Sequence, residues 1–369
     1  MKEPSGRREF PTIFLPAKGI KMRVGMYYNN SDVRVEEMDK PAIGADEILV
    51  KAEVCGICGS DVLEWYRIKK APLVLGHEMV GTIAEVGKDV KGYKTGQKVF
   101  VSHHIPCNTC YYCLRGYHTA CDTLHSTNFF PGGFSEYIRV PALNVDRGIF
   151  PIPDDMTSEQ GVFIEPLACV VRAQRLIHIQ PGETVLVIGS GIAGLLHILQ
   201  AQVMGAGRII ATDIQPSRLE VARSLGANHV FSATDDIPAR VREVNDGRPA
   251  DKVIVCAGVL SAFQQALNCV ERGGTVLCFA TANPGQDLAV PINDFWRNEI
   301  KLLPSYGNAP QDALEALELI RNGRVPVEKL ITHRVDLENI QEGFRMTAKG
   351  QDSLGNPSLK VIVRLDGKE

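Results

Sequence analysis

The sequence predicts an α/β protein in two parts: a doubly wound parallel sheet, and a β-rich domain carrying a small lobe closed by a metal. Three observations predict this. Between Thr184 and Asp213 an apolar β-branched run enters a glycine turn, a helical stretch follows, and a second strand ends in an acid. From Met22 to Gly96 short strands are broken by Gly and Pro. Four thiols, Cys107, Cys110, Cys113 and Cys121, then fall in one segment at gaps of two, two and seven residues.

The elements can be taken in chain order. Residues 1–20 hold Arg7 and Arg8 beside Glu3 and Glu9, with no continuous apolar stretch behind them. They read as an extension and not as a signal peptide. Residues 21–178 form the first domain, with strands at Glu47–Val54 and Gly81–Val86. The thiol lobe is inserted at about 103–122, and the alternating run Gly133–Val140 returns to the domain. Glu159–Ile177 is helical and leads through Gln180-Pro-Gly182 into the second domain, residues 179–308. Its strands are expected at Thr184–Ile188, Arg208–Thr212, His229–Phe231, Lys252–Cys256, Thr275–Phe279 and Ile300–Ser305, with a helix over Leu195–Met204. Residues 309–369 then carry a helix over Ala313–Asn322 and re-enter the first domain through His333–Val335 and Lys360–Val363.

At 369 residues the chain can build two cores. A net charge of −3 with both signs mixed gives no basic stripe, which excludes a nucleic-acid partner. Every apolar run is interrupted by Gly, Pro or charge, so no membrane span is expected. Ten cysteines without a secretion signal point to metal ligands and buried thiols in a reducing compartment, the cytoplasm. Cys169, Cys256, Cys269 and Cys278 lie in apolar strands or helices and are expected in the core.

The four-thiol segment has the chemistry of structural zinc. Short gaps let neighbouring thiolates converge, and the long gap returns the fourth to close a tetrahedron. In iron–sulfur proteins the fourth thiol follows three residues on with a proline behind it; here the gap is seven and Asp122 follows. A second donor set lies upstream in Cys55-Gly-Ile-Cys58-Gly-Ser60-Asp and Gly76-His77-Glu78. One thiolate, one imidazole and one carboxylate neutralise a divalent ion and leave a position open for water or substrate. The Cys55–Cys58 spacing also fits a redox pair, but no thioredoxin-like context surrounds it.

The glycine turn reads Gly189-Ser-Gly191-Ile192-Ala193-Gly194 between a strand and a helix, with Asp213 about twenty residues further on. Gly189 makes the tight turn, Gly191 lets backbone approach a pyrophosphate, and Gly194 lets helix and strand pack closely. The helix start, Ile192 and Ala193 included, supplies N–H donors to the phosphates. Asp213 can accept from the adenosine ribose hydroxyls and would repel a 2′-phosphate, which favours NAD over NADP. Arg218 is a candidate to face the ribose or a phosphate.

Together these motifs resemble the zinc-dependent medium-chain dehydrogenase/reductase family, above all its polyol, sugar-alcohol and threonine dehydrogenase branch, from about Met22 to Val363. The resemblance implies a GroES-like catalytic domain beside a Rossmann domain. It implies two zinc ions per chain, a catalytic one on Cys58 and His77 with Glu78 or Glu165 approaching it, and a structural one on the four-thiol lobe. Which carboxylate binds is open, and Glu165 before Pro166 also fits an ordinary helix start. Ser60 matches the hydroxyl that first accepts the alcohol proton. Many relatives then carry a histidine where this sequence has Leu63, so that relay is broken. His104 resembles a histidine of threonine dehydrogenases and otherwise reads as a solvent-facing loop residue. Trp65, Tyr66, Phe129, Phe130 and Trp296 are candidates to line the pocket.

The expected activity is hydride transfer from a secondary alcohol or polyol to NAD, giving a ketone. An alternative within the family is L-threonine or a sugar phosphate as substrate. A redox-inactive dinucleotide-binding protein is the alternative from another class, and the intact Cys58, His77 and glycine turn argue against it. The last strand, with Ile300, Leu302 and Leu303, is expected at a sheet edge where two subunits can pair. The resemblance points the same way, to a homodimer or homotetramer.

Overall fold

The computed structural model describes residues 19–365. The extension expected over residues 1–20 therefore lies almost wholly outside the described residues.

Six strands form one parallel sheet: Thr184–Ile188, Arg208–Asp213, His229–Ser232, Ala250–Val255, Val270–Cys278 and Lys301–Pro304. Across the sheet they run third, second, first, fourth, fifth, sixth. The order reverses beside Thr184–Ile188, and in such sheets the ligand crevice opens at the carboxyl ends of the strands where the order reverses. The first strand is buried along its whole length, as a strand covered on both faces must be. Helix Ile192–Val203 leaves it directly after the glycine turn, three residues earlier than the expected Leu195 start. The reason is that Gly191 already serves as its N-cap.

Gly194 shows why that turn needs glycine. A Cβ there would run into the carbonyl oxygen of Gly189, so the helix could not sit so close to the strand. Gly189 itself adopts φ +94°, a left-handed conformation that other residues avoid.

The first domain is built on a seven-stranded sheet and a three-stranded sheet. In the larger one, Ile48–Gly56 pairs antiparallel with Glu78–Val86, Tyr137–Val140 and Lys360–Arg364. Ile331–Asp336 extends it parallel to Lys360–Arg364. The strand expected over Gly133–Val140 is thus shorter, because Gly132 and Gly133 press against Val74, Gly76 and Cys55 and leave the ladder. The helix expected over Glu159–Ile177 is two pieces, Ser158–Gly161 and Ile164–Ile177. Thr157 and Gln160 form a capping box on the first, and Pro166 falls in the first turn of the second. Helix Ile164–Ile177 packs on helix Pro310–Arg321 and on Ile192–Val203, and one apolar core runs through all three. An ion pair between Arg175 and Asp312 ties the first two together.

The strand Lys301–Pro304 is the sheet edge, as expected. Beside it an apolar hollow of about 570 Å³ is lined by Val290, Ile292, Phe295, Trp296, Ile300 and Leu302. Trp296, expected to line the substrate pocket, stands here instead and is 76% exposed. Helix Ile292–Asn298 aims it at this edge.

Candidate active site

Strand Ile48–Gly56 ends in a turn that carries Cys58 and Ser60, and strand Glu78–Val86 begins at the site, with His77 just before it. Cys58, His77 and Glu78 each bring a donor atom into one cluster whose members lie within 4.8 Å of one another. His77 Nδ1 faces Asp61 Oδ1 at 3.4 Å, which leaves Nε2 as the free ring nitrogen. Asp61 also accepts from the Cys58 N–H at 3.0 Å and from Arg67. Burial alone would raise the Asp61 carboxyl, but the His77 ring and the Arg67 guanidinium outweigh it and hold it below the usual range. Burial works against a charged His77, yet Asp61 and the Cys58 thiolate lift its pKa well above the ordinary value.

Glu78 is fully buried and is tied to one cation already. Its Oε2 accepts from Lys360 Nζ at 2.6 Å, and Lys360 is buried too. Its Oε1 is buried with no partner, an expensive state for a carboxylate oxygen. A divalent ion on Cys58 and His77 would satisfy it, so the donor set fits zinc. Gly56 makes the approach possible, since a Cβ there would collide with Glu78 Oε2.

Glu165 lies outside that tight cluster. Its Oε1 accepts from Asn308 Nδ2 at 3.2 Å, and the Cys169 thiol lies 3.5 Å away. Burial raises its carboxyl, His77 pulls it down by less, and Glu78 adds to the rise. Cys169, expected in the core, is therefore a wall of the site, with Asn308 Nδ2 at 3.3 Å from its sulfur. Cys269 is buried as expected, whereas Cys256 and Cys278 are half-buried and pack against the cores. Cys55 is a buried thiol that lies 3.7 Å from the Gly56 carbonyl oxygen.

Ser60 Oγ lies 3.4 Å from Cys58 Sγ and accepts from Arg67 Nη2 at 3.1 Å, while Arg67 Nε donates to the Ser60 carbonyl at 3.0 Å. Leu63 caps the short helix Glu64–Arg67 that delivers this arginine. His104 is not a solvent-facing residue. It is half-buried, its ring centroid is 3.9 Å from that of His103, and His103 in turn is 4.9 Å from His77. Burial pushes His104 down to about 4 against the weaker upward pull of the Thr127 carbonyl. Among the aromatics, Trp65 packs on Tyr66, and burial, with Tyr66 adding to it, raises the Tyr306 hydroxyl to about 12. Phe129 is instead buried in the first domain's core, and Phe130 lies over Arg139.

At the glycine turn, Asp213 Oδ2 accepts from the Ser190 N–H and Oδ1 from the Gln215 N–H, both at 2.8 Å. Arg218 Nη1 stands 3.8 Å from Asp213, and it lies over Gly191 at contact distance from a Cβ built there. The lobe brings its four thiols together as the spacing requires, within 4.8 Å of one another. Backbone and hydroxyl donors of Thr109, then the Cys110 N–H, lower Cys107 to about 5, while burial raises Cys113 to about 12.

Two family models match the chain. An alcohol dehydrogenase GroES-like domain covers residues 44–154, and a zinc-binding dehydrogenase domain covers 193–322. Sorbitol dehydrogenase of Bacillus subtilis is 30% identical over 93% of this chain and 97% of its own length. The chain is a zinc-dependent medium-chain dehydrogenase. Solved structures of this dehydrogenase family superpose along nearly the whole chain. A zinc-binding dehydrogenase of Sinorhizobium meliloti bound to NADP has TM-score 0.82 and 27% identity, covering 94% of this chain and 99% of that one. Galactitol-1-phosphate dehydrogenase of Escherichia coli has TM-score 0.81 and 29% identity, covering 94% and 100%. In this dehydrogenase, sequence reasoning missed Asp61, Arg67, His103, Asn308 and Lys360. Lys360 did leave a signal: a lysine opening the otherwise apolar run Lys360-Val-Ile-Val.

Proposed function

We propose that the enzyme oxidises a secondary alcohol or polyol to a ketone with NAD as hydride acceptor. The observation that carries this is the Cys58, His77 and Glu78 cluster with its orphaned carboxylate oxygen. Cys58 and His77 would hold a catalytic zinc, with Glu78 or Glu165 as the carboxylate, and Cys107, Cys110, Cys113 and Cys121 a structural one. Bound there, zinc supplies Lewis acidity that makes an alcohol proton easy to lose near neutral pH. Ser60 would take that proton while passing its own hydroxyl proton to solvent. Its oxygen already accepts from Arg67, so one further lone pair remains for the substrate. Asp61 fixes the His77 ring through Nδ1, and Lys360 fixes Glu78.

Asp213 carries the preference for NAD. Two backbone N–H groups hold its carboxylate at the end of the second strand, where a 2′-phosphate would meet its charge. The purified protein should contain two zinc ions per chain and reduce NAD, in preference to NADP, with members of a panel of diols and alcohols bearing charged groups. Asp213→Ala should weaken NAD use and relax discrimination against NADP. Wild-type preference for NADP, or one metal ion per chain, would overturn the corresponding assignment.

The edge strand Lys301–Pro304 and the apolar hollow beside it support a homodimer about a two-fold axis, with a tetramer as a further step. Leu302→Lys should shift the mass in light scattering toward the monomer. A monomeric wild type at micromolar protein contradicts the dimer.

A further inference from the structure

Arg172 is a half-buried guanidinium without a carboxylate. It sits on helix Ile164–Ile177, one turn after Cys169, and its one hydrogen bond among the described residues runs from Nη1 to Ser305 Oγ at 3.1 Å. No acid lies within ion-pair distance of it there, although Arg175, one turn on, is paired with Asp312. Ser305 follows the strand Lys301–Pro304 directly, so it stands at the carboxyl end of the sheet where ligands of such folds bind. Next to it Tyr306 stacks on His125 of the thiol lobe, with ring centroids 5.5 Å apart, so this end of the sheet faces the first domain. The neighbouring thiol of Cys169 touches both Asn308 and, through the same cluster, Glu165. The guanidinium thus stands at the carboxyl end of the parallel sheet, one helical turn from the thiol that borders Glu165 and Asn308.

A charged group taken partly out of water without a partner costs free energy. Burial lowers the Arg172 pKa, and the positive charge of Arg175 one turn on pushes the same way. With Nη1 held by Ser305, the planar fork keeps Nε and Nη2 for an incoming anion, the bidentate geometry in which arginine binds carboxylate or phosphate. The cofactor's phosphates have their own seat at the glycine turn beside Arg218, so they leave Arg172 free. Arg67 cannot take this part, because Ser60 and Asp61 already occupy it.

We propose that Arg172 anchors an anionic group on the substrate, so that the alcohol oxidised here is a phosphorylated or carboxylated one and not a neutral diol. This rests on the dehydrogenase reading above and narrows its substrate class. Arg172 then acts as a specificity-determining residue, setting the distance between the anion and the carbinol carbon.

The test has two readouts. In the first, kcat/KM is measured for a neutral diol, a polyol phosphate and a hydroxy acid with wild type, Arg172→Met and Arg172→Lys. One of the two anions should exceed the diol by about 100-fold in wild type, that ratio should collapse in Arg172→Met through KM, and Arg172→Lys should restore part of it. The leading anion tells phosphate from carboxylate. In the second, binding of inorganic phosphate and of acetate to NAD-saturated protein is followed by calorimetry, independently of turnover. One of them should bind wild type and fail to bind Arg172→Met. If a neutral diol is the best substrate and neither anion binds, the proposal is overturned while the dehydrogenase reading stands. If an anion binds through Arg172 but no alcohol is oxidised, the anion site stands and the dehydrogenase reading falls.

Discussion

Cys58→Ala or His77→Ala should abolish alcohol oxidation while NAD binding stays measurable. The two halves of this outcome come from different parts of the molecule. Cys58 and His77 belong to the first domain's sheet and hold the donor cluster. The glycine turn and Asp213 belong to the parallel sheet, whose strands Thr184–Ile188 and Arg208–Asp213 pair with each other without help from that cluster. Losing a Lewis acid at the reacting oxygen removes several kcal/mol of transition-state stabilisation, a rate loss of about 10⁴-fold. Steady-state turnover together with NAD titration by calorimetry checks both halves. Full activity in Cys58→Ala would remove the metal from the mechanism.

Lys360→Met should be the most destabilising single change in the catalytic domain that leaves its apolar packing alone. The side chains of Lys360 and Glu78 are almost wholly buried and pair at 2.6 Å. Removing one member leaves a carboxylate in the interior with no counter-charge, at a cost of about 3–5 kcal/mol. Replacing both charges relieves that cost, so Lys360→Met with Glu78→Leu should be more stable than Lys360→Met alone. Chemical denaturation of metal-free protein measures this without any contribution from metal affinity. A double variant no more stable than the single one would mean that Lys360 acts through packing of its aliphatic stem and not through its charge.

The parts of this site legible in the sequence are the parts made by neighbours in the chain. Cys107 to Cys121 and Gly189 to Gly194 each lie in one short segment, where spacing dictates geometry, and the structure has them as the spacing requires. The parallel sheet was legible for a similar reason, since each strand and helix is a local pattern. What escaped is made by long-range contact. Lys360 meets Glu78 across 282 residues, and Asn308 meets Glu165 across 143. No periodicity reports such pairings. Trp296 was misplaced because its burial partners depend on where the last strand falls in the sheet. Arg67 was closer to hand, seven residues from Ser60, but a short helix beginning at Glu64 gave too weak a pattern to say where its side chain would turn.

The thiol lobe does more than close on itself. Its helix Asp122–Ser126 places His125 in a stack on Tyr306, with ring centroids 5.5 Å apart. Tyr306 belongs to the loop that leaves the parallel sheet, so the stack spans the gap between the two domains. The lobe is thus a latch. An ion held there by the four sulfurs, as proposed above, would set how firmly the jaws of the enzyme are held together. Loss of that ion would first be felt as a gaping of the cleft, before any strand of either sheet came apart.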